Sequence, residues 1–316
     1  MMQTVGAKKR VGIIRGGKGE NYAASLKRGG DIISHIFENL TDKYKVVDIL
    51  IDKEGSWHLN GLPVMPADLI NKIDVVWNTA HPSWSETLNN FSIPHISSNS
   101  FSHALENSKE ILREHMAQVG VLMPRSILLP VYQKDFDGER ERYSIKKAKE
   151  VHAKFPAPWI VKSFTPDTNM GIHLAKTFNE LVGAIEDGVK HEKSIVVEEF
   201  ITGKVASMHS VKGFRMGDMP AQAGEIYTFP LVDVFGSFSM EEKEKLIALT
   251  KNLYKHIGTD HYLKSNFILN QRGKVYLLDV ESTPNLKSFS HFAQACEKVG
   301  AKMHHVVEHI LKQAAN

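Results

Sequence analysis

The sequence predicts an α/β protein, and three observations predict it. Short apolar runs at residues 10–14, 45–51 and 74–78 alternate with a long helical pattern over residues 21–40. Strand, helix, strand in this order builds a parallel sheet with helices on its faces. Strand-like and helical stretches then continue to the C-terminus, without an internal repeat or a low-complexity segment. No run of about 18 apolar residues interrupts them, so no membrane span is expected.

Composition bounds the class. At 316 residues the chain has room for two or three packed units. It is 42% hydrophobic and 24% charged, with a net charge of +3. Lysines and arginines are dispersed rather than gathered in a block, so no nucleic-acid partner is expected. The N-terminal Lys8, Lys9 and Arg10 lead into a short strand, not into the apolar core of a signal peptide. A single cysteine, Cys296, allows no intramolecular disulfide and fits a reducing cytoplasm. It lies in the apolar helical run Phe292-Ala293-Gln294-Ala295-Cys296 and reads as a buried structural thiol.

Taken in order, the first strand ends in Arg15-Gly16-Gly17-Lys18-Gly19, and the strand at 74–78 ends in Asn78-Thr79-Ala80-His81-Pro82. Ligands of parallel sheets sit beyond the carboxyl ends of the strands, which points at Gly16, Gly17, Asn78 and His81. The glycine pair suits close approach of backbone to an anion, and equally suits a plain strand-to-helix turn. G-x-G-x-x-G is absent, which disfavours a dinucleotide-binding dehydrogenase. Ser97-Ser98-Asn99-Ser100 caps a new helix and marks a domain boundary near residue 98.

A helix from Lys109 reaches Gly120, followed by a charged, loosely patterned insertion at 133–142. Residues 158–162 form a buried strand that ends in Lys162, and a polar loop runs to Gly171. Lys109 and Lys162 are candidate point charges for phosphate, or solvated surface lysines. Thr177-Phe178-Asn179-Glu180 is a capping box that opens the next helix. The strand at 194–200 carries Glu198 and Glu199, aimed at a ribose hydroxyl or simply at solvent. Ser239-Met240-Glu241-Glu242 caps another long helix that ends at Gly258.

The most distinctive run comes last, Tyr276-Leu277-Leu278-Asp279-Val280-Glu281-Ser282-Thr283-Pro284-Asn285. Asp279 and Glu281 share one face of a strand by its period of two. If residues 263–269 pair with it as a hairpin, Asn266 comes close to both acids. Such a set of hard oxygens suits Mg²⁺ held against phosphates. Alone, the pattern is equally that of an edge strand with solvated acids.

The order of these parts resembles the ATP-grasp superfamily, and within it the D-alanine–D-alanine ligase family, over about residues 10–312. Six blocks carry the resemblance: Gly16-Gly17 through Ser25-Leu26; Asn78 through Glu86 with His81; Ile93-Pro94 through Lys109; Val161-Lys162 with the loop to Gly171; Val197-Glu198-Glu199-Phe200-Ile201-Thr202-Gly203; and Leu278-Asp279-Val280-Glu281-Ser282-Thr283-Pro284. The resemblance implies an N-terminal substrate domain (1–98) followed by two ATP-grasp subdomains (99–192 and 193–316) that enclose the nucleotide.

It implies an ATP- and Mg²⁺-dependent ligase, with Mn²⁺ as a substitute cation, that joins two amino acids through an acyl phosphate. The expected product is D-alanyl-D-alanine for peptidoglycan, and the expected assembly is a homodimer. By the same resemblance Lys109, Lys162 and Thr168 of the lid contact ATP phosphates, while Glu198 and Glu199 lie at the hinge beside the nucleoside. Asn266, Asp279 and Glu281 hold the cation. His81, Gly16, Gly17, Glu20, Asn21 and Ser25 surround the first substrate. Lys264 and the Asn285 backbone meet the oxyanion, and Ser290 meets the second substrate's carboxylate.

The departures from the family bear on substrate. Its metal-strand carboxylate and asparagine are permuted as Asn266 and Glu281, its arginine is Lys264, and the acid that binds the first ammonium falls at Asn21, with Glu20 one position early. A ligase for a different amino or hydroxy acid pair, and a nucleotide-binding homologue with weakened catalysis, are the alternatives.

Overall fold

The computed structural model describes residues 7–19, 21–132, 140–164, 170–215, 225–233 and 236–315. The chain divides into two compact units. One comprises Met1–His115, Val205–Phe267 and Asp279–Asn316; the other comprises Met116–Lys204 and Ile268–Leu278.

The N-terminal part follows the expected alternation: β1 (Lys9–Gly16), α1 (Tyr22–Asn39), β2 (Tyr44–Ile51), β3 (Trp57–Leu59), β4 (Leu62–Val64), β5 (Val75–Asn78), α2 (Trp84–Asn90), β6 (His95–Ile96), α3 (Ser100–Asn107) and α4 (Lys109–Gln118). The sheet order is β4-β3-β2-β1-β5-β6. β1 pairs parallel with β2 and β5, and β5 pairs parallel with β6. β3 and β4 add an antiparallel hairpin that the sequence reading passes over. Residues 11–14 are all buried because the central strand is covered on both faces. α1 buries Ser25, Gly29, Ile32 and Ile36, the spacing of one helical face.

The carboxyl ends of β1 and β5 are tied to α1 by a buried chain of hydrogen bonds. Gly16 N–H donates to Ser25 Oγ at 2.9 Å, Ser25 Oγ lies 3.3 Å from Thr79 Oγ1, and Thr79 donates to the Ile14 carbonyl through both its N–H and its hydroxyl at 2.9 Å. Gly16 has φ +89°, and a Cβ there would stand 2.2 Å from the Ile51 carbonyl oxygen. Gly17, at φ +101°, donates its N–H to the same oxygen at 2.7 Å, and a Cβ there would meet Ala80 and Trp84 only at ordinary contact distances of 3.6 and 3.7 Å.

The second stretch holds β7 (Ser126–Leu129), α5 (Arg140–Lys154), β8 (Trp159–Ser163), β9 (His173–Ala175), α6 (Phe178–Lys190) and β10 (Ile195–Glu199). Its antiparallel sheet has the order β7-β10-β8-β9. Val151 and Phe155 of α5 and Leu181 and Ile185 of α6 pack with Trp159, Val161, Ile195 and Val197. α6 opens on the expected capping box, with Thr177 Oγ1 accepting from Glu180 N–H. α5 begins within the charged, loosely patterned segment at 133–142, where its thin apolar stripe gives the sequence little helical signal.

The last part holds β11 (Gly203–Lys212), β12 (Ile226–Thr228), α7 (Met240–Ile257), β13 (Tyr262–Asn270), β14 (Val275–Glu281), α8 (His291–Glu297) and α9 (Met303–Ala314). The sheet order is β12-β11-β13-β14. α7 has the predicted Ser239–Glu242 capping box and ends at Gly258 in the left-handed region, φ +65°. Cys296 is fully buried, and burial pushes its thiol up to about 12. Among the described residues no helix is long and apolar enough to cross a membrane.

His209 of β11 sits in this core at 3% exposure, stacked on Phe292 with ring centroids 4.8 Å apart and with Nδ1 2.8 Å from the Tyr262 hydroxyl. Burial, reinforced by the charge of Lys264, pushes its pKa down to about 3.

Two outcomes follow. The unfolded chain protonates histidine near 6.5 while folded His209 resists to about 3, so the unfolded state binds more protons inside that window. Stability therefore falls as pH drops through it, with His209 contributing up to about 1.4 kcal/mol per pH unit. Urea unfolding across the window should show a shallower pH slope for His209→Gln than for the unsubstituted protein. Separately, Gly16→Ala should cost at least about 2 kcal/mol, more than Gly17→Ala, because strain at positive φ accounts for about 1–2 and the Ile51 clash adds to it. Urea midpoints at a shared m-value report the order.

Candidate active site

Beyond the carboxyl ends of β1 and β5 lies a cavity of about 330 Å³. Of the residues predicted for a first substrate, Gly16, Asn21, Ser25 and His81 line it. Gly17 does not appear in its lining, and Glu20 lies outside the described residues. Ser25 is 1% exposed and its hydroxyl is committed to the network with Gly16 and Thr79, so it shapes the wall. His81 is exposed; its Nδ1 is 2.8 Å from Ser83 Oγ, and its ring meets His103 edge-on at 4.8 Å. Burial lowers the His103 pKa, assisted by His81 and Arg28.

The lining side chains that the sequence does not single out include Arg28 on α1, and His103 and Glu106 on α3. Glu106 accepts a hydrogen bond from Ser282 Oγ at 2.7 Å, and Ser282 Oγ is 2.7 Å from Ser98 Oγ. Burial raises the Glu106 pKa against the lowering effect of Ser282. The Arg28 Nε is buried and has no hydrogen-bond partner. Helical spacing could have flagged Arg28, which falls three residues after Ser25 on the same side of α1. Glu106 carried no such signal, because only the fold brings α3 to this wall.

The acid strand is the second feature. β13 alternates strictly, with Leu263, Ser265, Phe267 and Leu269 buried and Lys264 and Asn266 on the other face. These two meet the acids of β14: Asn266 Nδ2 donates to Asp279 Oδ1 at 2.5 Å, and Lys264 Nζ is 2.6 Å from Glu281 Oε1. Burial pushes the Asp279 carboxyl up, Glu281 pushes it further, and the Asn266 amide opposes both. The expectation of three converging oxygens needs one correction. Asn266 presents its amide nitrogen to Asp279, and its Oδ1 accepts from Ser207 Oγ at 2.6 Å.

The donor set nevertheless fits a hard divalent cation. It offers two carboxylates, and a half-turn of the Asn266 amide places oxygen toward Asp279 while Ser207 accepts from Nδ2. Among the described residues no cluster of three or more His, Cys, Asp or Glu forms a metal site, so any cation here depends on this mixed set.

Within the other unit Lys162 on β8 and Glu198 on β10 form an ion pair at 2.7 Å, with Glu198 7% exposed. Glu199 turns away: Arg125 grips both its oxygens at 2.8 and 2.9 Å and holds its carboxyl below the usual range. Thr168 lies outside the described residues, as does most of its loop. Lys109 is the first residue of α4. Asn285 is exposed just after β14. Ser290 donates its hydroxyl to the Asn285 carbonyl at 3.0 Å and accepts from Ala293 N–H at 3.1 Å as the cap of α8.

Comparison with known proteins bears on this arrangement. Residues 231–312 match the family model described as D-ala D-ala ligase C-terminus. The D-alanine–D-alanine ligase of Oceanobacillus iheyensis is 20% identical, across 97% of this chain and 95% of the relative. The solved structure of D-alanyl-alanine synthetase A from Vibrio cholerae superposes with a TM-score of 0.72 at 16% identity, covering 98% of both chains. A Bacillus anthracis D-alanine–D-alanine ligase solved in complex with ATP gives a TM-score of 0.64 at 19% identity, covering 97% of each. The chain is thus similar along nearly its whole length to D-alanine–D-alanine ligases and shares the fold of their solved structures.

Proposed function

We propose that the protein is an ATP- and Mg²⁺-dependent carboxylate–amine ligase that joins two amino acids through an acyl phosphate, with D-alanyl-D-alanine for peptidoglycan as its product. The observation that carries this is one sheet face holding Lys264, Asn266, Asp279 and Glu281 together, in a chain similar throughout to such ligases. A bound divalent cation would neutralise phosphate charge during transfer.

This chain's residues supply the rest. Asp279, Glu281 and the turned Asn266 amide would hold the cation. Lys109 and Lys162 are assigned to phosphate oxygens, with Glu198 setting the position of Lys162 by its 2.7 Å pair. The first substrate's carboxylate oxygen attacks the γ-phosphorus and ADP leaves. The second substrate's amine then attacks the acyl carbon, phosphate departs and the amine loses a proton. Lys264, paired with Glu281 at 2.6 Å, would meet the developing oxyanion together with the Asn285 backbone N–H. His81 and Ser290 are assigned to orienting the first and second substrates. We assign the reaction to the cytoplasm, a reading that the use of ATP and the single buried thiol support, and the assembly to a homodimer, which the family resemblance supports.

The Lys264–Glu281 pair is also the observation that favours the second reading, a nucleotide-binding homologue with weakened catalysis. Phosphate release from ATP over a panel of D- and L-amino acids decides between them. Turnover with D-alanine supports the ligase, and ATP binding without any turnover establishes the homologue.

Asp279→Ala should lower Mg²⁺-dependent phosphate release by about a hundredfold or more while leaving thermal unfolding cooperative. Full activity in this variant would remove the cation assignment. Lys162→Met should weaken ATP binding and turnover together, by about ten- to a hundredfold. Unchanged nucleotide affinity, measured by calorimetry, would count against its role.

A further inference from the structure

The cavity beyond β1 and β5 is built for more charge than alanine carries. Its volume of about 330 Å³ has room for roughly ten waters, more than the few non-hydrogen atoms of alanine need. Arg28 enters its wall from α1, with a buried Nε that meets no acceptor. Arg28 as a residue is only half-buried, so it is the guanidinium charge rather than the enclosed Nε that a ligand in the cavity can meet. Glu106 enters from α3; Ser282 engages its Oε2, and the charge of Arg28 acts on it across the cavity wall. Asn21 on the same wall is neutral, so among the described lining residues Glu106 is the carboxylate available to an ammonium group. Lys18 adds a further positive charge to the lining. Among the described lining residues one anion and two cations remain, where an α-amino acid, its own carboxylate committed to ATP, would require only the anion.

We propose that this cavity also accepts, as first substrate, a D-amino acid with an acidic side chain, with Arg28 receiving the side-chain carboxylate and Glu106 the α-ammonium. The inference rests on the ligase reading above. The α-carboxylate oxygen attacks the γ-phosphorus and ADP leaves, giving an acyl phosphate. The amine of D-alanine then displaces inorganic phosphate and sheds one proton, leaving a mixed dipeptide whose side-chain acid is untouched. Arg28 acts as the specificity residue. A planar fork of donors matches a carboxylate in two places, which a neutral methyl group cannot exploit.

The test supplies ATP, Mg²⁺ and D-alanine with D-aspartate or D-glutamate, reading phosphate release and identifying dipeptides by mass spectrometry. A mixed dipeptide with the acidic residue at its amino end is the expected product. Arg28→Met should lower the ratio of kcat/KM for the acidic donor to that for D-alanine by about ten- to a hundredfold, with Arg28→Lys between the two. Glu106→Gln should raise KM for both donors more than it lowers kcat.

D-alanyl-D-alanine formed without any mixed dipeptide would overturn the inference and leave the ligase reading standing. So would a donor ratio unmoved by Arg28→Met in a variant that still binds ATP. No turnover with any amino acid would overturn both. Should Arg28→Met fail to fold, the product analysis of the unsubstituted protein and the Arg28→Lys ratio decide alone.

Discussion

The hydrogen-bond chain from Gly16 through Ser25 and Thr79 to the Ile14 carbonyl holds the first unit's functional end together. Two parallel strands and a helix meet there, each with backbone groups that solvent cannot reach. Ser25 and Thr79, 1% and 3% exposed, satisfy those groups with two small hydroxyls and leave the cavity wall free of bulk. Gly16 makes the arrangement possible, since a side chain would strike the Ile51 carbonyl. The residues that resemble a substrate-binding motif are therefore first of all the residues that let β1 turn into α1. Arg28, Asn21 and His81 stand where they do because that turn is fixed.

Much of the fold was legible because it rests on local signals. The capping boxes at Thr177 and Ser239 and the left-handed stop at Gly258 state their helices outright. The buried run at residues 11–14 states a central strand. What stayed hidden had weak local signals. The β3–β4 hairpin is too short to show a pattern, and α5 is so charged that its stripe of Tyr143, Ala148, Val151 and Phe155 is lost among lysines and glutamates.

The site divides along the same line. Asp279, Glu281, Lys264 and Asn266 lie on strands whose period of two predicts a shared face, and they meet as that period requires. Which atom of Asn266 faces Asp279 depends on Ser207, a residue on a different strand. Glu106 entered no sequence argument at all, because a lone acid in Ala104-Leu105-Glu106-Asn107 looks like an exposed helix position until α3 is placed. Glu199 shows the reverse: its place beside Glu198 suggested a shared task, yet neighbouring strand residues point to opposite faces, and Arg125 claims it.

The burial of Cys296 has a practical meaning of its own. It is the sole sulfhydryl in the sequence, wholly shielded in α8 and held in its unreactive protonated form. Alkylating reagents and peroxide attack thiolates, so the folded protein offers them nothing. Reagent can reach the sulfur only when the core around Phe292 and Ala295 opens. The kinetics of labelling at this single atom thus become a built-in clock for opening of that core, readable without any introduced probe.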